Sequence, residues 1–231
     1  MNRLLWKLIP RSQRELLLDR LPIVDRQVVN KTLSGKNRFP EAFDRLECVF
    51  IHVPKCAGSS VAQALFGSTP TGHMPLYWYE KQFNERYLNY FKFAFVRDPL
   101  QRVHSAYSYL LQEAQHRDKL AHQLVSRYPD FDAFVDNWLR TDNISRQIHF
   151  APQHYFLQDS MGHINVDFIG RQENLDADFR TLCIHLHTKA ELQHINRSPR
   201  HTDQASDFCS AATRRRVREV YARDYELFAY D

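Results

Sequence analysis

Val49-Phe50-Ile51-His52-Val53-Pro54-Lys55-Cys56-Ala57-Gly58-Ser59-Ser60, continued by Val61 to Phe66, decides how this chain is built. Val49 to Val53 is a short apolar, β-branched run, the pattern of a strand covered on both faces. Pro54 ends it, and Gly58 lets the backbone turn closely. Ser59 or Ser60 then stands where an N-cap belongs, ahead of Val61, Ala62, Ala64 and Leu65. A helix that opens directly after a strand offers unpaired N–H groups and the positive end of its dipole, which suits a phosphate. Lys55 adds a charge and the serines add donors, so the stretch reads as an anion-binding loop. The plainer alternative is an ordinary strand-turn-helix corner with a solvated lysine. A nucleoside triphosphate loop is a poor match, because that motif places lysine after its second glycine and follows it with a magnesium-binding hydroxyl.

A second segment repeats the design. Tyr90-Phe91-Lys92-Phe93-Ala94-Phe95-Val96 reads as another strand, and Arg97-Asp98-Pro99 ends it. Leu100 to Gln115 follows with helical spacing, Val103, Ala106, Tyr107, Leu110 and Leu111 falling on one face. Pro99 fits a first helical turn and Asp98 its N-cap. Arg97 therefore leaves the carboxyl end of a strand, where α/β sheets bind ligands. Ser105, about two turns into the helix, is placed to share an oxyanion with it, and an arginine fork with a hydroxyl suits a phosphate monoester.

Pro54-Lys55-Cys56-Ala57-Gly58-Ser59-Ser60 and Phe95 to Tyr107 together resemble the paired signatures of sulfotransferases, in the carbohydrate branch that includes heparan and chondroitin sulfate enzymes and bacterial relatives. The Gly-Thr-Thr-Trp form of the cytosolic branch is missing. The resemblance implies an α/β, three-layer, P-loop-like sulfotransferase fold with a central parallel sheet flanked by helices. It implies that Lys55, Ala57, Gly58, Ser59 and Ser60 grip the 5′-phosphosulfate of 3′-phosphoadenosine 5′-phosphosulfate (PAPS). Arg97 and Ser105 match the residues that grip its 3′-phosphate. Relatives also place a histidine between the two motifs, and His73 in Gly72-His73-Met74-Pro75 matches that position.

His73 is accordingly the expected catalytic base, since an unperturbed imidazole pKa of about 6.5 suits proton removal near neutral pH. There are 12 histidines, and His52, on the strand before Lys55, is the nearest rival. Further on, Arg146-Gln147-Ile148-His149-Phe150-Ala151-Pro152-Gln153 resembles a family run near the acceptor pocket. It makes Arg146, His149 and Gln153 candidate substrate contacts, against the alternative of a packing corner fixed by Pro152. Val166 to Gly170 reads as a third strand leading to Arg171-Gln172-Glu173-Asn174, where Arg171 and Glu173 are expected to be structural. A polar loop at 196–202, containing Arg197 and Arg200, resembles one that closes over the nucleotide. Phe131 to Leu139, Leu175 to Leu186 and a closing run from Ser210 to Phe228 read as helices.

At 231 residues, 43% hydrophobic and 25% charged, the chain fits one globular domain. Residues 1–46 read as a helical extension packed outside the core and residues 47–231 as the sulfotransferase domain. The net charge of +4 suits an anionic cosubstrate and falls short of a nucleic-acid footprint. Met1 to Ile9 is too short for a membrane helix and shows no signal-peptide cleavage site. Golgi relatives carry an N-terminal anchor, so the expectation is a cytoplasmic enzyme, or a Golgi-lumenal one if the chain is a trimmed domain. Leu4, Leu5, Leu8, Leu16, Leu17, Leu18 and Leu21 are expected to pack onto the domain, with an amphipathic surface anchor as the alternative. Cys48, Cys56, Cys183 and Cys209 lack zinc or redox spacing and are expected as free thiols. The clustered histidines at 185, 187, 194 and 201 are expected to be solvated rather than metal ligands.

These expectations converge on transfer of a sulfuryl group from PAPS to an acceptor hydroxyl, the resemblance favouring a saccharide. His73 would take the proton, Lys55 would neutralise the departing phosphate, and the product would be 3′-phosphoadenosine 5′-phosphate (PAP), with no metal required. A nucleotide-dependent phosphotransferase and a catalytically inactive nucleotide- or glycan-binding module are the alternatives. Oligomeric state is not legible.

Overall fold

The computed structural model describes Trp6 and residues 8–35, 37–67, 71–112, 118–192 and 208–231. Helices α1 (Arg11–Leu18), α2 (Ile23–Ser34) and α3 (Glu41–Arg45) lead to β1 (Cys48–Ile51), all four residues of which are buried. Helices α4 (Gly58–Phe66), α5 (Leu76–Gln82) and α6 (Asn84–Asn89) connect it to β2 (Phe91–Val96). Next come α7 (Pro99–Gln112), α8 (Lys119–Val125), α9 (Phe131–Trp138), α10 (Thr141–Ile144) and α11 (His154–Leu157). β3 (Phe168–Arg171), α12 (Leu175–His185), α13 (Ala211–Val220) and α14 (Ala222–Phe228) complete the described chain.

The strands pair in the order β1-β2-β3, both pairs parallel, with Ile51 beside Ala94 and Ala94 beside Ile169. Parallel pairing puts the ends of all three strands on one edge, so the turns after Ile51, Val96 and Arg171 gather there. This is the α/β parallel sheet flanked by helices that the resemblance implied. Its core holds Val49, Phe50, Phe93 and Phe95 with Val61, Leu65 and Phe179, and also Val24, Ala42 and Phe43 from the N-terminal helices. A second core, away from the sheet, packs Val103, Leu110, Phe134, Phe150, Val217 and Tyr221.

Several boundaries differ from the sequence reading. Neither Ser59 nor Ser60 caps α4: the helix starts at Gly58, and Ala57, at φ 60°, takes the cap position. The closing run is two helices, broken at Tyr221, whose buried hydroxyl donates to the Phe150 carbonyl at 2.6 Å. Of the N-terminal leucines, Leu18 packs inward at 5% exposure, whereas Leu8, Leu16 and Leu17 are 78%, 68% and 53% exposed. One α-helical turn cannot bury adjacent positions on the same side. Leu4, Leu5, His194, His201 and the loop at 196–202 lie outside the described residues. Among the described residues, no helix is long and apolar enough to cross a membrane. All four cysteines are buried free thiols.

Candidate active site

The loop after β1 carries left-handed backbone at two residues with side chains, Lys55 at φ 68° and Ala57 at φ 60°. Such conformations are costly outside glycine and turn successive N–H groups towards a common hollow, an arrangement suited to anions. At the start of α4 the Ser60 and Val61 amides donate to the Ala57 carbonyl at 3.0 and 3.2 Å, and the Gly58 and Ser59 amides precede that first bond, where a helix has no acceptor of its own. Gly58 is required here by close approach: a Cβ would sit 2.1 Å from Cδ2 of His52. Ser59 is exposed and Ser60 buried. The Lys55 ammonium lies 3.9 Å from the centroid of the Tyr109 ring, a cation–π contact with α7.

Two imidazoles stand beside this loop. His52 stacks on Phe50, contacts Thr71 Oγ1 through Nδ1 at 2.9 Å, and is pushed down to about 3 by burial. His73 donates from Nδ1 to the His52 carbonyl at 2.8 Å. A carbonyl only accepts, so the neutral ring keeps its proton on Nδ1 and its lone pair on Nε2. Burial lowers the His73 pKa below the ordinary 6.5, the carbonyl opposes that shift, and the nearby Lys55 charge reinforces it. His73 is therefore neutral at pH 7 and chemically able to accept a proton. His149 is pushed down to about 4 by burial, with His73 and Lys55 adding to the shift. Its Nδ1 is buried without a hydrogen-bond partner, and its ring lies 5.5 Å from that of Tyr109.

The second corner is held differently. Asp98 caps α7 by accepting from the Gln101 amide at 2.8 Å, and its own amide donates to Glu173 at 2.6 Å. The Arg97 backbone is clamped on both sides by the Gln153 side chain, at 2.9 and 2.8 Å. Arg97 Nε is buried and has no hydrogen-bond partner. Burial disfavours its charge, but a guanidinium stays protonated at any ordinary pH. A buried cationic donor left unpaired is costly and calls for an anion. Ser105 is half-buried on the second turn of α7.

The structure thus brings Lys55, His73 and His149 together, and ties Arg97 to Cys56 of the first loop through Gln153 Oε1, which accepts from both. The other two expected acceptor contacts differ in exposure. Arg146 is exposed. Gln153 is 0% exposed with its amide group spent on Arg97 and Cys56, so it faces no substrate. Burial raises the Cys56 thiol to about 12, which makes it inert packing rather than a nucleophile. Arg171 donates to the Phe228 carbonyl and Glu173 accepts from Asp98 and Tyr230, so both brace this edge. Tyr109, four residues after Ser105 and so on the same face of α7, was legible by spacing but not singled out. Buried Arg102, which donates to the His149 and Ala151 carbonyls, carried no such signal. Among the described residues no cluster of His, Cys, Asp or Glu is arranged to hold a metal ion. A hollow of about 670 Å³ lies between α9 and α13, and none of the candidate residues lines it.

Fold and site together define an α/β protein whose sheet edge carries two strand-to-helix corners, one with Lys55 and one with Arg97, beside the buried imidazole of His73. The model of the Sulfotransferase family matches residues 42–231, and the chain belongs to that family. It is similar to carbohydrate sulfotransferase 14 of Homo sapiens, 27% identical over 165 residues, which cover 63% of this chain and 43% of that protein. The Mus musculus protein of the same name is 31% identical over 106 residues, covering 40% and 28%. The chain spans less than half the length of these relatives. No solved structure gives a significant match.

Proposed function

We propose that this chain transfers a sulfuryl group from PAPS to a hydroxyl of a saccharide. The observation that carries the reading is His73, held neutral with its lone pair on Nε2 and adjacent to Lys55. Family membership supports sulfuryl transfer as the reaction, and the name that both relatives share supports a carbohydrate acceptor.

The residues present fit the donor. The left-handed turn at Lys55 and Ala57, with Gly58, Ser59 and Ser60 at the start of α4, would hold the 5′-phosphate end. The unpaired Nε of Arg97, with Ser105, would hold the 3′-phosphate. PAPS supplies the activated sulfuryl group. His73 removes the proton from the attacking hydroxyl at Nε2, while the His52 carbonyl keeps its ring oriented and its other nitrogen protonated. Lys55 would offset negative charge building on the departing phosphate, a kind of stabilisation whose removal typically costs about 10²–10³ in rate. His149, unpaired at Nδ1 and neutral, would offer the acceptor one hydrogen-bonding group, and exposed Arg146 would offer a charge to an acidic saccharide.

Calorimetric titration with PAP, set against ATP and ADP with magnesium, tests the donor. Metal-independent PAP binding that Arg97→Ala weakens supports the reading, and preference for ATP would overturn it.

A further inference from the structure

The two anion-binding corners are joined by a single buried amide. Gln153 Oε1 accepts from the Arg97 amide at 2.9 Å and from the Cys56 thiol at 3.2 Å. Its Nε2 donates to the Arg97 carbonyl at 2.8 Å. Cys56 lies between the two left-handed residues of the first loop, and Arg97 opens the second corner. Gln153 is itself anchored: its backbone amide donates to Asp224 Oδ2 at 2.8 Å. Asp224, 1% exposed on α14, also accepts from the His154 amide at 3.1 Å and contacts His154 Nδ1 at 2.6 Å. Both polar atoms of the Gln153 side chain are engaged, and a buried hydrogen-bond network of this kind is stiff.

We propose that Gln153 is a positioning residue that sets the spacing between the two corners, so that a ligand with two phosphate groups engages both at once. This rests on the reading of PAP as the ligand. A rigid bisphosphate gains from its second contact only as far as that contact is presented at the right distance from the first. A displacement of an ångström between the corners would remove the gain and leave each corner intact for a single phosphate. A residue that merely supports the fold would instead weaken every ligand together.

The test compares affinities for PAP, adenosine 5′-monophosphate and adenosine 3′-monophosphate in the full chain and in Gln153→Leu, which keeps the bulk and removes the hydrogen bonds. The expected result is about tenfold or more lost for PAP and less than about twofold for either monophosphate. Parallel losses for all three nucleotides, or PAP affinity unchanged, overturn the spacing role. Should Gln153→Leu fail to fold, Cys56→Ala removes only the first-loop arm. It should give a smaller loss, again confined to PAP, and a uniform loss or none counts against the proposal. If the unaltered chain binds PAP no better than the monophosphates, the donor reading fails and the spacing role falls with it. A wild-type preference for PAP that both variants retain overturns the spacing role alone.

Discussion

His73 Nδ1 lies 2.8 Å from the carbonyl oxygen of His52, and that one contact decides which nitrogen of the site can act as a base. Burial of the ring disfavours its imidazolium form and lowers the pKa below 6.5. As pH falls through that lowered value His73 gains a proton at Nε2 and can no longer accept one from a hydroxyl. The kcat/KM profile should therefore be flat around pH 7–8 and fall on the acid side, with its midpoint below about 6.5. A pH–rate profile with an ascending limb centred above pH 7 would exclude His73 as the base.

The same pair explains a glycine. Gly58→Ala would place a methyl 2.1 Å from Cδ2 of His52, and the ring is backed by Phe50 at 5.4 Å. Overpacking of this kind costs roughly 1–3 kcal/mol. Because the His52 carbonyl orients His73, turnover should fall further than the lowered denaturation midpoint alone would explain. Unchanged stability and turnover in Gly58→Ala would show that His52 moves freely.

Tyr109 holds the Lys55 ammonium 3.9 Å from its ring centroid. Tyr109→Phe keeps the aromatic face and should keep kcat. Tyr109→Leu removes it, and a contact of about 0.5–1 kcal/mol predicts a two- to fivefold fall in kcat. Steady-state rates for the two variants separate the ring from the hydroxyl; equal losses would assign the effect to the hydroxyl instead.

Asp224 contributes to stability from the far end of the chain. Asp224→Ala leaves the buried amide of Gln153 and the part-buried amide of His154 without an acceptor. The loss should be about 3 kcal/mol, and for a chain of this size it should lower Tm by on the order of 10 °C. Thermal unfolding followed by circular dichroism measures it, and a shift under 2 °C would mean that water replaces the carboxylate.

The corners were legible because their causes are local. The β-branched run before Pro54 and the Arg97-Asp98-Pro99 stop each announce a strand end and a helix start within a few residues. What was misread depends on contacts made across the fold. Serine at 59 and 60 looks like a cap by type, but the approach of His52 to Gly58 accompanies an earlier helix start, after Ala57 in left-handed backbone. Tyr221 ends α13 without a glycine or proline, its hydroxyl held by Phe150, 71 residues away. Gln153 looked like a substrate contact because it is polar and lies in a motif-like run. Its partners Arg97, Cys56 and Asp224 are 56, 97 and 71 residues distant, so no local pattern reveals that its amide is already spent.

The most direct measurement of the central claim is PAP release from PAPS, followed with sulfate incorporation into a set of desulfated glycosaminoglycans. It is made on the full chain and on His73→Ala, after both are shown to bind PAP. The full chain should form PAP and sulfated saccharide in equal amounts. His73→Ala should bind PAP normally and lose about 10²–10⁴-fold in rate, the usual contribution of a positioned base. Equal rates in the two proteins, or no sulfate transfer by a full chain that binds PAP, would contradict it.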